Sequence, residues 1–278
     1  MTEIPRLSPT IAHKLTTESP LSAWAAHRLL GNFRKPAIKS QIEGRMWHAA
    51  VLGQAHDIVV VDAADFKTNA AKEERDAILS QKKIPVAKPK LDNLQLSAAR
   101  IRHSLMEYGI DVDEGTSEKR FEWTEYTESG KPVECSGVID HHQFQRIIDL
   151  KTSDKSVSLH EATNLIARSH SLLQDAAYRN ALCADDHADD GFTPDYFEVI
   201  FAFCQTVEPF SVTPVTLSGE FRELSHLRWR RAIETWHECL SKGRAREHWP
   251  GPVDAITAVS PPGWMLAQEI EWEAMRED

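Results

Sequence analysis

The chain has 278 residues, enough for one large domain or two small ones with a sizeable buried core. Apolar content is 41% and charged content 27%, ordinary values for a soluble globular protein, and no apolar run approaches the ~20 residues that cross a bilayer. The net charge of −10 argues against a general nucleic-acid coat protein, but it leaves room for local phosphate contacts.

The opening Met1-Thr-Glu-Ile-Pro-Arg-Leu lacks the basic and apolar regions of a signal peptide, so a cytoplasmic chain with no membrane partner is expected. Residues 1–35 read as a leading arm with a short helix from Pro20 to Leu30. A helix carrying His48 follows over 40–54, then a β-branched strand from Ile58 to Val61. Residues 69–109 predict two helices separated by a connection bearing Pro85 and Pro89. Phe121–Thr127 alternates in the strand manner, and Ser129-Gly-Lys-Pro turns into a strand over Val133–Asp140. His141, His142 and Gln143 are read as the turn into a further strand, Arg146–Ser153. Leu165, Ile166, Leu172, Leu173, Ala176, Ala177 and Leu182 suit a buried helix. Asp185-Asp-His-Ala-Asp-Asp-Gly191 is an acidic loop without the spacing or terminal Glu of an EF-hand. Tyr196–Cys204 is nearly all apolar, so it is expected at the centre of a sheet; Phe210–Leu217 and a long helix over Gly219–Leu240 complete the pattern. Strands and helices mix without strict alternation, which favours an α/β sandwich with a mixed central sheet flanked by helices.

The four cysteines, Cys135, Cys183, Cys204 and Cys239, form no Cys-x-x-Cys pair, so no zinc site is indicated and reduced, mostly buried thiols are expected. Two basic clusters, Lys82-Lys83 through Lys88, Lys90, Arg100 and Arg102, and Arg222 through Arg228, Arg230 and Arg231, could contact phosphates. Each reads equally well as a solvated helix face.

The chemistry concentrates in Glu134-Cys-Ser-Gly-Val-Ile-Asp140 and Arg146-Ile-Ile-Asp149-Leu-Lys151. In a strand, residues i and i+2 share a face, so Asp149 and Lys151 project together while Leu150 turns to the core. A paired hairpin brings Asp140 close to Asp149. Two carboxylates and an ammonium are costly to bury unless a cation and an anion complete the site. The bland alternative is an exposed hairpin with solvated charges. Downstream, Gln174 and Tyr178 stand i and i+4 on one helix face. Upstream, His48 sits in Gly44-Arg-Met-Trp-His-Ala-Ala-Val-Leu-Gly53, on a helix with an apolar face.

Taken in order, His48, Asp140, Asp149-x-Lys151 and Gln174-x-x-x-Tyr178 resemble the catalytic core of the PD-(D/E)XK nuclease superfamily, in its RecE/RecB-type branch. Arg6-Leu-Ser-Pro through Ser19-Pro-Leu-Ser-Ala-Trp24, Val59–Asp62 to Lys67-Thr-Asn, Trp249-Pro-Gly and Pro261-Pro-Gly-Trp264 are similar to phage relatives of exodeoxyribonuclease VIII. The resemblance implies one RecE-like domain over 1–278, with a catalytic core at roughly 115–245 and a helical N-terminal elaboration. It implies a Mg²⁺-dependent 5′→3′ exonuclease on double-stranded DNA ends in recombination, with Mn²⁺ as a substitute metal. His48, Asp140, Asp149 and the Leu150 carbonyl would hold the metal, Lys151 would orient the attacking water, and Gln174 and Tyr178 would position the hairpin or the phosphate. A single-strand annealing protein and a homo-oligomeric ring are the partners implied. The competing readings are an endonuclease of the same superfamily and a non-catalytic DNA-binding protein of this fold. The turn with two histidines departs from the family pattern and leaves His141 or His142 as a further ligand. Glu134 shares the Asp140 face but lies ~20 Å away along the strand, too far for a direct role.

Overall fold

The computed structural model describes residues 3–33, 39–185 and 193–277, so most of the acidic segment Asp185–Gly191 lies outside the described residues. The expected mixed sheet is present. It comprises β3 (Thr116–Tyr126), β4 (Pro132–Gln143), β5 (Arg146–Ser153), β6 (Glu198–Gln205) and β7 (Val212–Val215), five strands in that spatial order. All neighbours are antiparallel except β5 and β6, which run parallel from Arg146↔Glu198 to Ser153↔Gln205. A parallel pair needs a long crossover, and α6 (Leu159–Arg168) and α7 (Ser171–Asp185) supply it.

The alternation of β6 divides the core. Val199, Phe201 and Phe203 join a cluster with Leu173 and Ala177 of α7 and Trp229, Ile233 and Trp236 of α8 (Gly219–Lys242). Ile200, Ala202 and Cys204 face the other cluster, with Trp47 and Val51 of α3 (Lys39–Val51) and Leu94, Ile101 and Leu105 of α5 (Lys88–Glu107). With helices on both faces, an unbroken apolar strand is what burial requires. Helix α8 starts at an N-cap, Ser218, and buries Ser225, Trp229, Ala232, Trp236 and Cys239 at helical spacing.

Four elements differ from the sequence reading. The leading arm contains α1 (Pro9–Thr17) before α2 (Pro20–Ala26); Ser8 caps α1 and Pro9 opens it, a start signal that outweighs the polar composition. Between α4 (Asn69–Ser80) and α5 lies β2 (Ile84–Ala87), pairing in parallel with β1 (Ile58–Val61) as a separate two-stranded sheet. Pro85 is tolerated there because β2 is paired on one side only. The hairpin turn is Phe144–Gln145, and His141, His142 and Gln143 belong to β4. The chain also ends in α9 (Gly263–Glu277). The cysteines are free thiols, and burial pushes Cys204 up to about 12. Most cations of the two basic clusters are paired with acids, as in Lys83–Asp57 at 2.8 Å and Arg230–Glu234 at 3.5 Å. Among the described residues no helix is long and apolar enough to cross a membrane.

Glu125 ties three elements together. Its Oε1 accepts from Trp123 Nε1 at 3.0 Å, Trp229 Nε1 at 2.9 Å and Asn180 Nδ2 at 2.8 Å. Glu125→Leu should strand both indole N–H groups, at about 1–3 kcal/mol each, whereas Glu125→Gln keeps an acceptor oxygen and should lose less than half as much. Urea unfolding followed by tryptophan fluorescence measures both; equal losses would show that packing, not acceptance, is Glu125's contribution.

Candidate active site

The ladder between β4 and β5 ends at His141↔Ile148. One step beyond, Asp140 takes over the role of a backbone partner, and the Leu150 N–H donates to its Oδ2 at 2.9 Å. Asp149, 1% exposed, points from the opposite strand toward α7. The Gln174 amide reaches it there: Nε2 donates to Asp149 Oδ1 at 2.7 Å, and Oε1 accepts from Lys151 Nζ at 2.9 Å. The same Nε2 donates to Tyr178 Oη at 2.9 Å, and Tyr178 in turn donates to the Val138 carbonyl at 3.0 Å. Lys151 also forms an ion pair with Asp149 Oδ2, but without hydrogen-bond alignment, so this buried oxygen has no hydrogen-bond partner.

His48 closes the other side, its Nδ1 3.6 Å from Asp140 Oδ2. Burial lowers the His48 pKa against the pull of Asp149, and the Leu150 backbone is a hydrogen-bond partner of the ring. The imidazole is therefore neutral near pH 7 and keeps a lone pair available. Burial raises the Asp140 carboxyl well above its usual range, and the Asp149 charge adds to this; Lys151 and the Leu150 N–H pull it back only in part. Burial, reinforced by both aspartates, keeps the Tyr178 phenol protonated.

The structure thus brings His48, Asp140, Asp149, Leu150, Lys151 and Gln174 to one cleft of ≈ 380 Å³. On the other side of Asp140 and Gln174, a second cavity of ≈ 360 Å³ is bordered by Tyr178, Thr10, Ser136 and Arg120. His141 is engaged elsewhere: it is buried against Ser117, at 2.9 Å. His142 bonds the Phe144 carbonyl at 2.8 Å, and Glu134 accepts from Thr124 at 3.2 Å. Sequence reasoning missed His170, which lines the same cleft and which burial and then Lys151 lower to about 4. Its signal was available, since it precedes Gln174 by one helical turn.

The donor set of two carboxylates, a neutral imidazole and a backbone carbonyl suits a hard divalent cation. Asp149 Oδ2, buried and faced by the Lys151 ammonium without an aligned hydrogen bond, fits the same demand. Among the described residues no three or more His, Cys, Asp or Glu side chains already converge as a metal-binding group, because Asp149 is turned into Lys151 and Gln174.

No protein-family model and no curated protein matches the chain. Among solved structures it is similar to the crystal structure of a presumed exonuclease from Eubacterium rectale, at 11% identity and a TM-score of 0.57, over 95% of this chain and 92% of that one. A structure titled SSO0001 aligns at 13% identity over 70% of this chain and 86% of its own, but its TM-score of 0.29 bears no weight. The first likeness shows a shared α/β fold.

The Asp140 shift has a stability consequence. Its folded pKa lies above the ordinary 3.8, so the stability linked to its protonation is present at low pH and lost as pH rises through the folded value. In EDTA at neutral pH, Asp140→Asn should raise the melting temperature, by about 2–4 °C for each kcal/mol of strain relieved. At pH 4 the gain should shrink. Calorimetry at the two pH values checks this, and a destabilised variant at neutral pH would contradict a charge-strained site.

Proposed function

We propose that the chain is a metal-dependent deoxyribonuclease, acting as a 5′→3′ exonuclease on double-stranded DNA ends in recombination. The observation that carries this reading is the single network joining Asp140, Asp149, Lys151, Gln174 and Tyr178, with His48 at its mouth. The fold shared with the Eubacterium rectale protein described as a presumed exonuclease supports it.

In this reading His48, Asp140, Asp149 and the Leu150 carbonyl hold Mg²⁺, or Mn²⁺ in its place. Bound there, the ion lowers the pKa of a coordinated water and offsets charge on the phosphate. Lys151 orients the attacking water and meets the charge that develops on the phosphoryl oxygens. Gln174 fixes the ammonium by accepting from it while donating to Asp149, so the cation and the carboxylate are set by one amide. Tyr178 holds Gln174 and the Val138 carbonyl together and so keeps α7 in register with β4. It does not serve as a base, because its phenol stays protonated. A single-strand annealing protein is the partner this activity calls for, since resection exposes single strands.

End-labelled linear duplex should be degraded with Mg²⁺ or Mn²⁺, spared in EDTA, and closed circular duplex should resist. Circular cleavage would instead assign an endonuclease. Lys151→Ala should lower kcat by roughly 10²–10³-fold, the cost of one transition-state donor. Mg²⁺ affinity by calorimetric titration should persist, because a protonated lysine offers no lone pair. If Lys151→Ala loses metal binding together with activity, Lys151 builds the site rather than serving the reaction.

A further inference from the structure

The last element, α9, exposes nearly all its large apolar side chains. Trp264, Met265, Leu266, Ile270, Trp272 and Met275 are between 43% and 70% exposed. A helix apolar on most of its circumference is built to be covered. The chain leading to it is anchored and then released: Trp249 is buried against Trp236, the Pro250 carbonyl accepts from the Leu21 N–H at 3.0 Å, and residues 252–262 are exposed throughout. Four prolines, Pro250, Pro252, Pro261 and Pro262, stiffen this tether, which at about 3.3 Å per residue reaches some 40 Å.

A groove elsewhere on the same chain matches the helix. It is a cavity of ≈ 520 Å³, bordered by Ala50, Ile58, Val60, Leu91, Ala98 and Ala99. Its α5 wall continues along one helix face from Lys88 to Arg102, at spacings of three and four residues. That face is about 21 Å long, and the 15 residues of α9 span about 22 Å. The chemistry is complementary as well as the length. Arg102 borders the groove and Lys88 lies one turn before Leu91 on the same helix face; both are engaged by exposed acids, Asp62 and Asp113, and Arg102 also donates to the Val51 carbonyl at 3.2 Å. Glu269 and Glu273, one turn apart, flank the aromatic face of α9. The groove belongs to the core cluster on one side of the sheet and the tether is anchored in the cluster on the other, and with α9 exposed and the groove open, the helix does not fill the groove of its own chain.

We propose that α9 docks into the α5–β1 groove of a second copy of this chain, its tryptophans in the apolar cavity and its glutamates against Lys88 and Arg102. The arms are handed between copies, so each chain offers one helix and one groove. This surface stands independently of the nuclease reading.

The test is sedimentation velocity on the full chain over a wide concentration range. Wild type should shift from monomer to a larger species as concentration rises. Trp272→Glu spoils the helix and leaves the groove; Ala99→Glu, at an exposed groove position, spoils the groove and leaves the helix. Each variant alone should stay monomeric with an unchanged far-ultraviolet spectrum. Mixing them should restore a dimer, because each retains the half that the other lacks. A wild type that remains monomeric overturns the proposal, and if Ala99→Glu, which keeps every tryptophan, then alters tryptophan emission at constant mass, the helix docks on its own chain instead. Association that survives in both variants, or a mixture that stays monomeric, also overturns it.

Discussion

Asp140 and Asp149 repel one another at the end of a strand pair where water screens them poorly, and the surrounding architecture holds that repulsion in place. The geometry is set by an amide rather than by a charge. Gln174 presents an acceptor to Lys151 and a donor to Asp149, so only one orientation of its side chain satisfies both neighbours. A carboxylate at this position would add a third negative charge, and an aliphatic residue would leave the ammonium and Asp149 oriented only by each other. Tyr178 locks the amide from behind through the Val138 carbonyl, so one helix face aligns the ends of two strands.

That alignment depends on the double-sided sheet. In β5, Ile148 and Leu150 pack toward α3 and α5, and Asp149 and Lys151 face α7. A one-residue slip would drive the two charges into the α3–α5 core. The parallel pairing with apolar β6 over eight residue pairs opposes such a slip, since Phe201 and Phe203 would have to leave a well-filled core with it. The register that buries the apolar side chains therefore also presents the charged ones, and the stability of the sheet is what positions the cleft.

Much of this was legible in the sequence because period-two alternation and i, i+4 spacing report faces directly. Asp149 and Lys151, and Gln174 and Tyr178, followed from those periods, and the unbroken apolar run at Tyr196–Cys204 pointed to an interior strand, found as Glu198–Gln205 between β5 and β7. The misses have local causes. Proline at 85 read as a break, but an edge position needs only half of the hydrogen-bonding capacity of a strand, so β2 forms. His141 and His142 read as turn residues by composition, whereas the turn falls at Phe144, which adopts a positive φ of 44°. His170 escaped notice because it sits in the break between α6 and α7, which the apolar pattern ran straight through. No period marks α9 as a core helix, since its apolar residues surround it rather than form one stripe.

On the proposed reading, formal charge accounts for how this cleft would hold a cation and a phosphodiester together. Two carboxylates and one ammonium leave one negative charge, and a neutral His48 contributes none. Burial, and then the Asp149 charge, raise the Asp140 pKa, so the site resists carrying both negative charges at once. A divalent cation held by these residues would turn the balance to one positive charge. A phosphodiester, carrying a single negative charge, then restores neutrality. On that reading a chain with a net charge of −10 would attract a polyanion at one point without a broadly basic surface, the positive charge being supplied by the held cation.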